Sequence, residues 1–187
     1  MVNVISVANQ KGGVGKTTTT INLAASIADR GYRVLIVDID PQGNATSGLG
    51  IEKSEIDQDI YNVLIDEIPI QDTIHHTSTP KLDMVPATIN LSGAETELIS
   101  MMARETRLKS ALDAISDQYD FVFIDCPPSL GQLSINAFTA SDSILIPVQS
   151  EYYAMEGLSQ LLNTIRLVQK HFNKDLGVEG VLLTMLD

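Results

Sequence analysis

Residues 10–18 read Q-K-G-G-V-G-K-T-T, between a β-branched run and a segment of helical period. Consecutive glycines let backbone N–H groups converge on an anion more closely than a chain carrying Cβ atoms could. The positive end of the helix that follows adds to that field, so the turn is a phosphate cradle. Lys16 is placed to reach the β and γ phosphates, and the Thr17 hydroxyl to coordinate Mg²⁺. The usual spacing is G-x-x-x-x-G-K-[ST], whose first glycine would fall at Gln10; this loop is a variant with Lys11 at the second position. The plain alternative is a tight strand–helix turn with a stray lysine, but K-G-G-x-G-K-[ST] in strand–turn–helix context favours phosphate. The nucleotide-binding candidates are therefore Lys11, Gly12, Gly13, Val14, Gly15, Lys16, Thr17 and Thr18.

The rest of the chain suits such a loop. Strands are predicted over residues 2–8, 33–38, 82–86, 121–125, 143–148 and 178–185. Helices are predicted over 16–30, 60–65, 95–102, 106–115, 133–140 and 156–172. The last carries Leu158, Leu161, Leu162, Ile165 and Val168 on one stripe, a core face. Alternation of this kind predicts an α/β fold, a doubly wound and mainly parallel sheet with helices on both faces. The 187 residues suit one domain spanning the chain. An apolar run stops at Asp187 with nothing after it, which reads as an edge strand or as a piece of a longer protein; the second is adopted.

Composition bounds the function. Hydrophobic residues at 44% and charged residues at 19% fit a soluble globular protein. The single cysteine, Cys126, excludes an intrachain disulfide and a four-cysteine zinc site. No apolar run approaches the roughly 18 residues that span a bilayer, and no secretory signal pattern opens the chain, so a cytoplasmic protein without membrane attachment is expected. The net charge of −12 opposes binding to nucleic-acid phosphates. Half of it lies between Glu52 and Asp72, where seven acidic residues face one lysine; this reads as a solvated acidic face open to a basic partner.

Three further segments join the loop: residues 37–44 (VDIDPQGN), 121–131 (FVFIDCPPSLG) and 147–161 (PVQSEYYAMEGLSQL). With KGGVGKTT, they resemble the ParA/MinD family with its deviant Walker A loop, and the ParA/Soj partition branch in particular, from Val2 to the end of the chain. The resemblance implies a P-loop NTPase fold, ATP/ADP and Mg²⁺ as cofactors, and a slow ATPase that lacks here the family's C-terminal region. It implies a catalytic set of Lys11, Lys16 and Asp40, with Asp40 orienting or deprotonating the attacking water. It assigns the metal to Thr17, Asp38 and Asp125, with Asp38 organising the shell. Asp125 ends an apolar strand beside the loop, where a carboxylate suits Mg²⁺ through a water. Read without the resemblance, Asp38 and Asp125 are strand-end caps and Asp40 is a turn residue before proline. In the family the lysine at position 11 crosses to the partner's nucleotide, so ATP joins two chains into a sandwich homodimer with Gly12 at the interface. A ParB-like, DNA-bound activator with a basic tail and non-specific DNA are the implied partners, DNA binding being weak or absent in so acidic a chain. Residues 184–187 are placed near the base.

Other signals are set aside. Cys126 reads as a packed small residue, His75 and His76 as surface residues of a polar loop, and Met101 and Met102 as core. Arg166, Lys170 and Lys174 recur along the last helix as a solvated stripe. Three other functions use the same loop: a MinD-like membrane-cycling regulator, a small-molecule ligase of the dethiobiotin-synthetase type, and a nucleotide-dependent scaffold without turnover.

Overall fold

The computed structural model describes residues 2–149 and 154–185. Among the described residues seven strands form one sheet in the order β3-β4-β2-β5-β1-β6-β7, all parallel except the β3–β4 pair. The strands are β1 (Asn3–Val7), β2 (Val34–Asp38), β3 (His75–His76), β4 (Leu82–Val85), β5 (Phe121–Asp125), β6 (Ser143–Gln149) and β7 (Gly177–Thr184). The helices are α1 (Lys16–Asp29), α2 (Asn44–Gly48), α3 (Ile60–Ile65), α4 (Leu91–Glu97), α5 (Arg107–Asp113), α6 (Gln132–Ala140) and α7 (Ala154–His171). The doubly wound α/β architecture of a P-loop NTPase is present.

The sheet separates two cores. Alternate residues of the central strands (Val4, Leu35, Val37, Val122, Ile124) pack with α3 to α7. Their neighbours (Ile5, Val34, Ile36, Phe123) pack with α1 and α2 on the opposite face. All of β2 is buried, as a parallel strand covered on both sides must be. The stripe on α7 packs as expected, with Leu161, Ile165 and Val168 buried and Leu158 and Leu162 against them. β7 is an edge strand, and Val178, Val181, Leu182 and Leu183 are exposed.

Several boundaries move for physical reasons. α4 begins at Leu91, because Gly93 is absorbed into the helix, and a 3₁₀ turn over Leu98–Ser100 then ends it. Met101 lies against the core, but Met102 is 89% exposed, so the pair does not pack as one. His75 and His76 form the short β3 rather than a loop, with His76 Nδ1 2.7 Å from Asp83 Oδ1 across the strand pair. Lys174 falls beyond the end of α7, leaving only Arg166 and Lys170 of the basic stripe on the helix. Within the acidic stretch Asp59 is buried: it caps α3 and accepts the Thr88 amide and hydroxyl, so the stretch is not wholly a solvated face. Cys126 is buried, and burial pushes its thiol pKa well up, which fits a packed residue.

β5 inserts between β1 and β2, and this places the site. Val7, Asp125 and Asp38 lie at one register on three adjacent strands, at the carboxyl edge of the sheet where the loop after β1 begins. Ligands of open α/β sheets bind at that edge.

Candidate nucleotide-binding site

The loop from Gln10 to Gly15 joins the carboxyl end of β1 to α1. Asn9, buried beneath it, donates from Nδ2 to the Pro147 carbonyl at 2.6 Å and accepts the Lys11 amide at 3.0 Å. Gly13 and Gly15 hold φ of 75° and 88°, in the left-handed region that side chains disfavour, so the turn requires glycine there. Gly15 is the N-cap of α1, and the helix therefore presents its first turn without a capping side chain.

Four side chains expected at the site converge on it. Lys16 is 8% exposed, and its ammonium donates to the Lys11 carbonyl at 3.0 Å across the mouth of the loop. Burial draws its pKa below the ordinary lysine value, against the opposing pull of Asp125 and Asp40. The Thr17 hydroxyl donates to Asp125 Oδ2 at 2.7 Å, and the Thr20 hydroxyl to Asp125 Oδ1 at 3.1 Å. Asp125 is fully buried, and desolvation raises its pKa to about 6 despite those two donors. Asp40, 7% exposed, accepts the Gln42 amide on Oδ1 at 2.9 Å and lines a cavity of about 380 Å³ together with Gly12, Gly13, Lys16 and Thr17.

The residues suit a magnesium ion brought in with phosphate. Having given its proton to Asp125, the Thr17 oxygen keeps its lone pairs for a hard cation. Among the described residues no group of three or more His, Cys, Asp or Glu side chains could hold a metal by itself. Mg²⁺ needs no such group, being held by one or two protein groups plus phosphate oxygens and water.

Asp38 is the register partner of Asp125 on the adjacent strand β2. Fully buried, it accepts the Asp40 amide on Oδ1 at 3.1 Å, and on Oδ2 the Thr46 amide at 2.9 Å and the Thr46 hydroxyl at 2.8 Å. Desolvation, then the neighbouring Asp125, raise its pKa to about 7. With these three bonds the carboxylate holds the β2–α2 loop. Gly12 is exposed, and nothing lies within 4 Å of where its Cβ would sit, so the folded chain itself does not demand glycine there. Lys11 is part-exposed at the rim of the loop.

The AAA domain family matches residues 2–178. Soj of Bacillus subtilis, a sporulation initiation inhibitor protein, is 64% identical over the whole chain, which covers 74% of Soj. The chain belongs to the ParA/Soj family. The chromosome partitioning protein ParA of Myxococcus xanthus is 56% identical over 98% of the chain, which covers 65% of that protein. A crystal structure named as cobyrinic acid a,c-diamide synthase of Mycobacterium smegmatis, with bound ADP and magnesium, superimposes with a TM-score of 0.96. It is 41% identical, and the match covers all of this chain and 76% of that one.

This ParA/Soj member also uses residues that sequence patterns do not single out. Asn9 and Thr20 brace the loop and Asp125 from outside the motif; Gln42, Asn44, Pro128 and Met185 line the cleft. Of these, Gln42, Asn44 and Pro128 sit in recognisable segments, residues 37–44 and 121–131. Thr184 donates to the Val14 carbonyl at 2.8 Å, seating the end of β7 on the phosphate loop. Residues 186 and 187, and residues 150–153 of the segment 147–161, lie outside the described residues. Among the described residues no helix is long and apolar enough to cross a membrane.

Proposed function

We propose that this chain is an ATP-dependent switch that binds Mg²⁺·ATP at the phosphate loop, pairs with a second copy across the nucleotides, and hydrolyses ATP to release it. The observation that carries this reading is the convergence of Lys16, Thr17, Asp40 and Asp125 on one cleft at the carboxyl edge of the sheet. Bound Mg²⁺ would neutralise phosphate charge and polarise the γ phosphate. The loop amides and Lys16 hold the β and γ phosphates. Thr17 would contribute a hydroxyl oxygen to the metal, and Asp125, which accepts that hydroxyl's proton at 2.7 Å, orients it and would hold the metal through a water. Asp40, next to the γ-phosphate position, takes or orients the proton of the attacking water.

Lys11 and Gly12 act between chains in this reading. A cation at the rim of the loop is suited to a neighbour's phosphoryl oxygens, where it stabilises charge developing in the transition state. Open space beyond Gly12 supports close approach by a partner. The names of the relatives support a role in DNA partition, in which a ParB-like activator with a basic tail would meet the acidic 52–72 stretch. With a net charge of −12, DNA contact by this chain is weak, and the output is the position of a cargo.

The test is the molar mass of Asp40→Ala by light scattering, first with Mg-ATP and then with Mg-ADP. A dimer with ATP alone is the expected outcome. A monomer in both removes the sandwich reading and favours the ligase, a reading to which the name of the 41%-identical structure also lends support.

A further inference from the structure

We propose that Thr46 is a positioning residue for hydrolysis, setting Asp40 through the carboxylate of Asp38; the inference rests on the ATPase reading above. Thr46 is fully buried in the first turns of α2 and makes three hydrogen bonds with two separate segments. Its amide and its hydroxyl both donate to Asp38 Oδ2, at 2.9 and 2.8 Å, and its hydroxyl oxygen accepts the Ala87 amide at 3.0 Å. An amide can only donate, so the hydroxyl accepts from Ala87 and is left with its single proton to give to the ionised Asp38 carboxylate. The other oxygen of Asp38 then accepts the Asp40 amide at 3.1 Å. A single path runs from the end of β4, through the Thr46 hydroxyl and the Asp38 carboxylate, to the backbone of the residue that faces the γ-phosphate position.

The surrounding loop has little freedom to compensate. The Asp40 carbonyl accepts the Gly43 amide at 2.8 Å, and Asp40 Oδ1 accepts the Gln42 amide at 2.9 Å. Gly43 holds φ of 59°, and a Cβ there would stand 2.6 Å from the Ala87 carbonyl oxygen. The Asp40 loop is thus pressed against the same residue, Ala87, whose amide anchors Thr46. Beyond the β2–β4 ladder, the Thr46 hydroxyl links Asp38 to the Ala87 amide. In α2, five residues long and without a side-chain cap of its own, Asp38 is the group that meets the Thr46 amide. None of these contacts touches the phosphate loop, so the path sets the attack on phosphate and leaves nucleotide binding to Lys16 and the loop amides.

Thr46→Val preserves shape and removes the hydroxyl. It orphans the Ala87 amide and withdraws from Asp38 its one side-chain donor. Misplacing a catalytic group by about 1 Å costs on the order of 10- to 100-fold in rate. The expected result is a loss of that size in kcat with little change in nucleotide Kd. Thr46→Ser, which keeps the hydroxyl, restores turnover. In an Asp40→Ala background, Thr46→Val changes the residual rate by less than about twofold, because the group it positions is already gone. Wild-type turnover in Thr46→Val overturns the proposal. So does a parallel loss of affinity and rate, or an effect that persists without Asp40. Amide hydrogen exchange on the nucleotide-free protein keeps the two readings separate. If wild type itself does not hydrolyse ATP, the ATPase reading fails on its own. Faster exchange at Asp40 and Ala87 in Thr46→Val, with residues 11–18 unchanged, still supports the positioning path; unchanged exchange at those two amides rejects it.

Discussion

Lys16 stands out among the single residues because it is buried and charged. A buried ammonium is tolerated only with partners, and here they are the Lys11 carbonyl and the nearby Asp40 and Asp125 carboxylates. Its removal deletes charge-assisted hydrogen bonds to phosphate worth about 1.5–3 kcal/mol each. Lys16→Ala is therefore expected to weaken ATP binding by roughly 10- to 100-fold or more in calorimetry; unchanged affinity would remove Lys16 from the site. Asp38 and Asp125 lead to a prediction about pH. Both have folded-state pKa values, about 7 and about 6, raised above the ordinary 3.8, so the folded protein binds these protons more tightly than the unfolded chain does. Their contribution to stability is complete below 3.8 and is lost as the pH rises through about 6 and then 7. Carboxyl ¹³C titration of the nucleotide-free protein should give midpoints for both residues well above the usual aspartate range. The Tm of that protein should fall by roughly 2–4 °C for each kcal/mol lost over the same window. Ordinary midpoints would show that burial does not hold these protons in the folded protein.

Among the elements, α6 shows how a neighbour can complete a helix. Its N-cap is Gly131, which has no side chain to offer. Glu95 of α4 supplies the missing acceptor, taking the Gln132 amide on Oε2 at 2.7 Å and the Leu133 amide on Oε1 at 3.3 Å. A carboxylate at that end also meets the positive pole of the helix. The contact ties the loop leaving Asp125 to α4. Space for it exists only because residue 131 lacks a Cβ, which would stand 2.4 Å from the carboxylate. Glu95→Ala is expected to cost about 1 kcal/mol in urea denaturation. Gly131→Ala pushes the same flexible carboxylate away and should cost a similar amount, and the double variant little more than either single one. Additive losses would mean that the two changes act through different contacts.

For the molecule as a whole, the prediction concerns association. The chain carries a charge of −12, yet the loop rim presents Lys11 beside an exposed Gly12 with open space above it. Gly12→Ala should leave the monomer within about 0.5 kcal/mol of wild type, as a surface change with no steric conflict. In the reading proposed here it blocks closure of the dimer. Lys11→Ala should likewise retain nucleotide binding and lose the ATP-driven increase in mass. Sedimentation with Mg-ATP checks both variants, and a dimer of either would mean that the contact between chains lies elsewhere.

The phosphate loop, the alternation of strands and helices and the buried face of α7 were legible in the linear chain, because each depends on local periodicity or on glycine at fixed spacing. Asp125 was legible for a similar reason, since it ends an uninterrupted apolar strand. The α2 turn, the bonds by which Asp38 holds it and the brace from Asn9 were not. The segment Asn44–Gly48 is short and polar, with little intrinsic reason to be helical, and it is held by a carboxylate that β2 delivers from below. Nor could the pattern of Met101 and Met102 reveal that one packs and the other faces solvent, because the 3₁₀ turn before them rotates the chain. Local sequence specified most of the strands and helices and the glycine loop at which phosphate binding is proposed. The insertion of β5 between β1 and β2 decided which carboxylates share the cleft, because strand order brings together residues more than a hundred positions apart, and no local pattern encodes that distance.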